Sequence, residues 1–159
     1  MEVAVVPGAA MEIRFKPEYR CVNHARLLIN SFVLLVFDDR TLAGRVAMTG
    51  AELIENSVKR ATSPLSVLRL HIESGRARTV RLETENEATP DNIRELLQVM
   101  QQVTQGSPMD AYTRALSVIP EKDASAAHLG LARIRYEGRM NLSCQVHGSL
   151  VRVIAETSE

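Results

Sequence analysis

The sequence contains no tryptophan, and only three tyrosines and three phenylalanines occur among its 159 residues. A surface that stacks nucleic-acid bases needs aromatic side chains, so their scarcity argues against such a surface. Excess positive charge is also absent, because 19 Lys and Arg residues balance 19 Asp and Glu residues. Nothing in the net charge favours nucleic acid or an anionic membrane. We therefore expect no nucleic-acid partner and a core built from aliphatic side chains.

Cysteine and long hydrophobic runs are also scarce. Cys21 and Cys144 have no metal-binding or redox spacing, and the four histidines are scattered, so no metal cluster is predicted from them. The longest apolar run, residues 32–37, is too short to cross a bilayer. No basic segment followed by an apolar one opens the chain, so we expect no signal peptide. These absences predict a cytoplasmic protein with reduced thiols and no membrane segment.

The sequence predicts an N-terminal arm at residues 1–10, followed by a single domain at residues 11–159. Apolar and charged residues alternate over 11–16, which predicts a strand with one buried face. Pro17 and Glu18 then favour a helix start. The predicted apolar stripe of this helix is Cys21, Ala25, Leu28, Phe32 and Leu35, although residues 31–37 also fit a strand. Asp38 and Asp39 interrupt the pattern and favour the cap of a second helix.

The remainder of the chain alternates between hairpins and helices. The predicted elements are strands at 68–73 and 80–85, helices starting at Thr89-Pro90 and Ser107-Pro108, a loop at 120–127, a helix at 129–139 and a closing hairpin at 140–155. Arginines on the outer face of the first hairpin alternate with glutamates, which favours cross-strand charge pairs over an anion-binding patch. This order predicts an α+β fold, a two-layer sandwich whose mixed, mostly antiparallel sheet carries its helices on one face.

Residues 52–59, Glu-Leu-Ile-Glu-Asn-Ser-Val-Lys, contain the main candidate site. On a helix, Glu52 and Asn56 lie one turn apart and face the same way, with Lys59 on the same side. A carboxylate, an amide oxygen and an ammonium group on one patch suit a hydrated magnesium ion and a phosphate. An amphipathic helix with a solvated polar face fits the same spacing.

This octapeptide resembles the asparagine box of the GHKL ATPase superfamily, whose pattern is Glu-x-x-x-Asn, often with a following lysine. The superfamily includes gyrase, MutL, histidine kinases and anti-sigma-factor serine kinases, which share the GHKL or Bergerat fold. The resemblance implies that Glu52 is the general base, that Asn56 binds magnesium and that Lys59 contacts phosphate. It also implies Mg-ATP as the cofactor if the nucleotide site is functional.

Two further GHKL motifs can be compared by position, and both are degenerate. Asn86 stands where the family has the Asp that accepts a hydrogen bond from adenine, but Ala88 and Pro90 replace the glycines that follow it. In the lid motif only Gly130 is kept, and His128 occupies a glycine position. Asn86, His128 and Gly130 are therefore nucleotide-site candidates by resemblance, and we expect weak ATP binding or none.

The two helices between the first hairpin and the lid resemble the SiaB-like branch of anti-sigma-factor serine kinase relatives. This resemblance implies a bacterial regulator that binds a protein partner, either a STAS-like antagonist or a sigma factor, in a partner-switching circuit. The alternative it implies is an active serine/threonine kinase that phosphorylates a STAS-like partner. A structural homodimer without a switching role is a third interpretation.

Overall fold

Five strands and five helices make up the part of the chain that the structure, a computed structural model, describes. The described residues are 8–117 and 124–159, with the side chains of 124–127 not described. The elements in chain order are β1 (Gly8–Phe15), α1 (Arg20–Phe37), α2 (Arg40–Arg60), β2 (Ser66–Ser74), β3 (Arg78–Glu87), α3 (Pro90–Thr104), α4 (Pro108–Ser117), α5 (Ala124–Tyr136), β4 (Asn141–His147) and β5 (Leu150–Ser158).

The strands form one sheet in the order β1-β2-β3-β5-β4. Each of the four strand pairings in the described residues is antiparallel. The last strand of the chain therefore lies between β3 and β4 rather than at an edge. This architecture confirms the predicted α+β fold class. The core lies between the sheet and the helices, and α2 provides a large share of its buried residues.

The first helix is continuous to Phe37, so residues 31–37 are helical and the strand interpretation of that segment was wrong. Asp38 ends the helix with a left-handed backbone at φ 50°. Asp39 then caps α2, because its Oδ1 accepts a hydrogen bond from the Leu42 amide at 2.9 Å. The predicted break and cap are therefore confirmed.

The outer face of the sheet carries the arginine and glutamate side chains that the alternation predicted. Arg69 lies opposite Glu83 across β2 and β3, with a shortest N–O distance of 3.2 Å. Glu85 lies opposite Arg152 across β3 and β5, at 2.5 Å. These contacts confirm cross-strand charge pairing. Because the acidic and basic groups satisfy one another, this face is not an anion-binding patch.

The buried face of α1 differs from the predicted stripe. Ala25, Ile29 and Val33 are the residues of α1 that the core covers. Leu28 is 56% exposed and Leu35 is 84% exposed, so the predicted stripe was wrong at both positions. The helix therefore presents apolar side chains on both its buried face and an outward-facing flank.

By length and composition, α1 could also cross a membrane, with a mean hydropathy of 1.2 over its 18 residues. A core helix of a soluble protein and a signal sequence pass the same test, so this is weak support for a membrane segment. No other helix in the described residues passes it.

The observed bounds of two elements, β1 and α5, differ from the predicted ones. The first strand begins at Gly8, three residues before the predicted start, and residues 1–7 of the predicted arm lie outside the described residues. The predicted loop at 120–127 lies partly outside them too, at 120–123, while α5 already begins at Ala124. Gly130 is consequently well inside a helix. Since amides beyond the first turn bond within a helix, the Gly130 amide is not at a helix N-terminus, where a phosphate cradle would need it.

Candidate functional site

Asn56 is buried, with 6% of its surface exposed. Its amide oxygen accepts a hydrogen bond of 2.7 Å from Nη1 of Arg60, one turn further along α2. Arg60 is itself only 5% exposed, and its Nη2 lies 3.3 Å from a carboxylate oxygen of Glu95 on α3. A guanidinium group therefore contacts the amide oxygen that the resemblance assigns to magnesium.

Glu52 lies one turn before Asn56 and pairs with a residue of the last helix. Its Oε1 accepts a hydrogen bond of 3.0 Å from Nη1 of Arg133 on α5. Arg133 also donates a hydrogen bond from Nε to Glu137, at 2.9 Å, so its guanidinium group bridges two carboxylates. The Glu52 side chain is mostly shielded from solvent by this packing. A solvated polar face, the second interpretation of the helix, is excluded for Glu52 and Asn56.

The pKa of Glu52 is raised above its ordinary value of 4.5. Burial is the main cause, and the negative charge of Glu55 adds to it, while Arg133 and Lys59 act in the opposite direction. A carboxyl group with a raised pKa is a feature of general bases, because it binds a proton more readily near neutral pH. A carboxylate desolvated by helix packing shows the same shift, so the direction alone does not assign a role.

Gly130 of α5 lies directly beside the Glu52 carboxylate of α2. A β-carbon added at Gly130 would lie 2.5 Å from Oε2 of Glu52. The absence of a side chain thus lets the backbone of α5 lie directly over the Glu52 carboxylate. His128, in the same helix, contacts Gln102 of α3 through its Nε2 atom. The two lid candidates lie in a helix packed against α2 and α3, and they do not surround an open phosphate site.

Asn86, the candidate for adenine recognition, is also buried. Its Oδ1 accepts a hydrogen bond of 3.1 Å from the hydroxyl group of Ser57 on α2. Its Nδ2 donates to the carbonyl oxygen of Glu87 at 3.1 Å. The acceptor oxygen keeps a second lone pair, but it already has a partner within the protein.

Lys59 forms its ion pair within α2, with Glu55, and not with Glu52 or Asn56. Its ammonium nitrogen lies 3.8 Å from a carboxylate oxygen of Glu55, one turn earlier on the same helix. The structure thus places Glu52 and Asn56 on successive turns, each engaged by an arginine. Lys59 is paired separately on α2.

Arg60 and Arg133 are the two residues that the sequence interpretation missed. The contact of Arg60 with Asn56 could have been predicted from the sequence, because Arg60 lies four residues after Asn56 and so faces the same side of the helix. The contact of Arg133 with Glu52 could not have been predicted in this way, since 81 residues separate the two. Within the described residues no cluster of three or more His, Cys, Asp or Glu side chains could hold a metal ion. Asn56 does not suit a magnesium ion, because the metal would lie beside the Arg60 guanidinium group that bonds the same oxygen.

A groove is present elsewhere, between β1 and α1. Its volume is about 330 Å³, and Ile13, Phe15, Cys21, Ala25 and Leu28 are among its lining residues. None of the residues predicted for nucleotide binding lines it. The groove and the asparagine-box helix are therefore two separate features of the fold.

Comparison with known proteins supplies a fold relationship. No protein-family model matches the chain, and no curated protein matches its sequence. Among solved structures, a chain of the SiaB–SiaC complex from Pseudomonas aeruginosa is similar, with a TM-score of 0.65. The identity is 12%, and the match covers 94% of this chain and 89% of that chain. The chain therefore has a SiaB-like fold.

Proposed function

We propose that this chain is a regulatory protein of the SiaB-like type that acts by binding a protein partner in a bacterial partner-switching circuit. In this proposal residues 11–159 work as one cytoplasmic domain, ATP binds weakly or not at all, and the partner is a STAS-like antagonist or a sigma factor. The similarity in fold to a chain of a two-protein complex supports a binding role. Fold similarity alone does not assign a partner, so the chemistry of the site must carry the proposal.

The observation that carries it is the contact between Arg60 and Asn56. In the GHKL resemblance Asn56 is the magnesium ligand, and magnesium neutralises the phosphates of the bound nucleotide. Here a buried arginine satisfies that oxygen, and a divalent cation in its place would meet a positive charge at contact distance. The repulsion between two cations in a desolvated site is large. In this proposal the Arg60 guanidinium group takes the place at Asn56 that the GHKL resemblance gives to magnesium.

Two other contacts, both at Glu52, also support a binding role rather than catalysis. Arg133 engages the Glu52 carboxylate, and Gly130 of α5 lies so close to it that an added β-carbon would be 2.5 Å from Oε2. An incoming hydroxyl group would compete with Arg133 for the Glu52 carboxylate. These contacts suit a protein whose lid helix is part of its packed core.

One observation favours the second candidate function, an active serine/threonine kinase. The raised pKa of Glu52 is what a general base for a partner's hydroxyl group requires. The two candidates differ in what Glu52 does, and therefore one substitution separates them.

The test is capture of partners by the wild-type protein and by Glu52→Ala, followed by identification of the captured proteins and their phosphorylation sites. We expect both forms to capture the same STAS-like protein or sigma factor, without new phosphoserine or phosphothreonine when Mg-ATP is added. Phosphate on the partner with the wild type, and none with Glu52→Ala at equal capture, would establish the kinase instead. Removing a general base lowers a rate by roughly 10²- to 10⁴-fold, so the contrast is measurable.

A further inference from the structure

Two of the three tyrosines of the chain are stacked on each other where α4 lies beside α5. The ring centroids of Tyr112 and Tyr136 are 4.9 Å apart, and the ring planes differ by 19°. Tyr136 is 40% exposed, so the stacked pair is open to solvent on one side. In a chain with so few aromatic side chains, an exposed tyrosine pair is a feature of a protein interface, where tyrosine is enriched.

Two large apolar side chains of α4 extend this pair. Met109 and Leu116 lie three residues before and four residues after Tyr112, and this spacing places the three side chains on one flank of the helix. Met109 is 61% exposed and Leu116 is 58% exposed, whereas alanines form the core side of α4. We call Met109, Tyr112, Leu116 and Tyr136 the α4–α5 surface. An uncovered apolar helix flank of this kind suits a protein partner.

The α4–α5 surface is connected to the candidate functional site by hydrogen bonds. The hydroxyl group of Tyr112 donates to Oε1 of Glu137 at 3.0 Å, and Nε of Arg133 donates to Oε2 of Glu137 at 2.9 Å. Arg133 also donates to Glu52. The surface therefore lies next to the Glu52 contact, and the negative charge of Glu137 is balanced within the chain.

Arg139 is a positive charge near the same surface. It is exposed and lies three residues after Tyr136, so their Cα atoms are at most about 11 Å apart. Among the described residues Arg139 has neither a hydrogen bond nor an ion pair. Its backbone is in the left-handed region, at φ 53°, which costs free energy for a residue other than glycine. Residues held in such conformations are enriched at binding sites.

We propose that the α4–α5 surface docks an acidic segment of the protein partner, and that Arg139 recognises a carboxylate of that segment. This inference rests on the proposed function and adds to it the surface and the chemistry of the partner. Charge complementarity selects an acidic segment, because the unpaired charge beside the surface is positive while Glu137 is neutralised by Arg133. An apolar side chain next to Asp or Glu in the partner would cover Met109 and Leu116 while the carboxylate pairs with Arg139.

The first test compares binding with stability in Arg139→Gly. The probe is the STAS-like protein or sigma factor that the wild type captures in the experiment described above. Glycine is the residue best suited to a left-handed backbone, so we expect the melting temperature to stay the same or rise. Arginine is a frequent source of binding energy at interfaces, so we expect Kd for the captured protein to rise by about tenfold or more. Arg139→Lys keeps the charge and should retain more of the affinity than Arg139→Gly.

Asp38→Gly is the matched control for the backbone change. Asp38 is also exposed and has a left-handed backbone, at φ 50°, but it lies at the end of α1. We expect the same direction of change in melting temperature and a change in Kd of less than about twofold. A lower melting temperature for Arg139→Gly, or equal effects of the two glycine variants on Kd, would overturn the role of Arg139.

The apolar part of the surface is tested by Leu116→Asp and its control Leu65→Asp. Leu65 is 56% exposed, close to the value for Leu116, but it lies between α2 and β2. We expect Leu116→Asp to raise Kd by about tenfold or more and Leu65→Asp to change it by less than about twofold. Equal effects of the two variants would contradict docking on the α4–α5 surface.

Site-specific photo-crosslinking identifies what covers the surface. With benzoylphenylalanine in place of Tyr136, we expect a crosslink to an acidic segment of the captured protein. A crosslink to a second copy of this chain instead would overturn the proposal. Capture that is unaffected by Arg139→Gly and Leu116→Asp would refute this surface alone, whereas a wild type that captures neither a STAS-like protein nor a sigma factor would refute the proposed function as well.

Discussion

Arg60 and Asn56 are paired inside the protein, with Nη1 of the arginine 2.7 Å from the amide oxygen of the asparagine. Both residues lie on α2, one helical turn apart, and both are almost fully buried. Burial lowers the pKa of Arg60, because a desolvated guanidinium group is less stable than one in water, and the nearby Glu95 offsets part of this effect. Asn56 thus serves as the acceptor for a cation that the chain itself provides.

The stability of this pair is testable with a double-mutant cycle. Arg60→Met leaves the buried Asn56 oxygen without its donor, and we expect a loss of about 1–3 kcal/mol in the free energy of unfolding. Asn56→Leu removes the acceptor and should also destabilise, whereas the double variant should recover part of the loss because neither group is left unpaired. Urea denaturation measures all three.

Arg94→Met is the control for this cycle. Arg94 pairs with Asp91, but both side chains are exposed, so the change should stay within about 0.5 kcal/mol. Additive effects of Arg60→Met and Asn56→Leu would show that the two side chains do not depend on each other.

The raised pKa of Glu52 predicts a pH-dependent gain in stability for Glu52→Gln. The folded wild type binds the Glu52 proton more tightly than the unfolded chain does. Its stability therefore falls as pH rises from about the ordinary value of 4.5 through the folded pKa. Glu52→Gln lacks this loss, so we expect it to be more stable than the wild type at pH 7 and similar below pH 4.5.

Glu85→Gln should show the opposite sign. Hydrogen bonds from Arg152 and, less strongly, from Arg69 lower the pKa of Glu85, while burial opposes them. Its carboxylate stabilises the fold above pH 4.5, and this contribution is lost as pH falls through the lowered pKa. Glu85→Gln should be less stable than the wild type at pH 7, and the difference should vanish in acid. Unfolding midpoints between pH 3.5 and 8 would test both variants, and equal signs would contradict the packing described for Glu52.

Gly138→Ala and Gly130→Ala should differ sharply in stability. A β-carbon at Gly138 would collide with the carbonyl oxygen of Ile134 and lie 2.7 Å from Oγ1 of Thr49, and the backbone there cannot move without distorting the end of α5. At Gly130 the obstacle is the end of the flexible Glu52 side chain, and alanine is a better helix former than glycine by about 1 kcal/mol. We expect a clear drop in melting temperature for Gly138→Ala and little change for Gly130→Ala. The reverse order would contradict the placement of α5 on α2.

Mg-ATP should leave the melting temperature nearly unchanged. If Kd is about 1 mM or weaker, 1 mM Mg-ATP stabilises the fold by at most about 0.4 kcal/mol, which corresponds to about 1 °C in a domain of this size. A ligand at a hundred times its Kd would give about 2.7 kcal/mol instead. A clear upward shift that disappears in Asn86→Ala would move support to the kinase function.

Local signals in the sequence predicted most of the fold. The caps at Asp39 and Thr89 depend on side chains that bond to amides three residues later, and both bonds are present. The hairpins depend on alternation, and the predicted cross-strand charge pairing is present, for example between Arg69 and Glu83 on β2 and β3. Interactions within a few residues, or within one hairpin, can be inferred because the spacing alone brings the groups together.

Contacts between distant elements could not be inferred in the same way. Periodicity identifies an apolar arc on α1, but it does not say which part of a wide arc the sheet will cover, and Leu28 and Leu35 were wrongly placed inside. The pairing of Glu52 with Arg133 depends on how α5 lies across α2, and 81 residues separate the two side chains in the sequence. Long flexible side chains reach such partners only after the helices have packed, so their roles follow from tertiary structure.

The position of β5 has a consequence for the time at which the protein can fold during synthesis. The strand β5 is made after β4 yet lies between β3 and β4 in the sheet, so β3 has only β2 beside it until β5 is present. A nascent chain that ends before Leu150 would leave β3 with an open edge and β4 without its partner strand, a form prone to aggregation. The sheet therefore cannot be completed before residues 150–158 have left the ribosome, and a ribosome stalled within the β4–β5 hairpin would expose a species for chaperones or proteases to recognise.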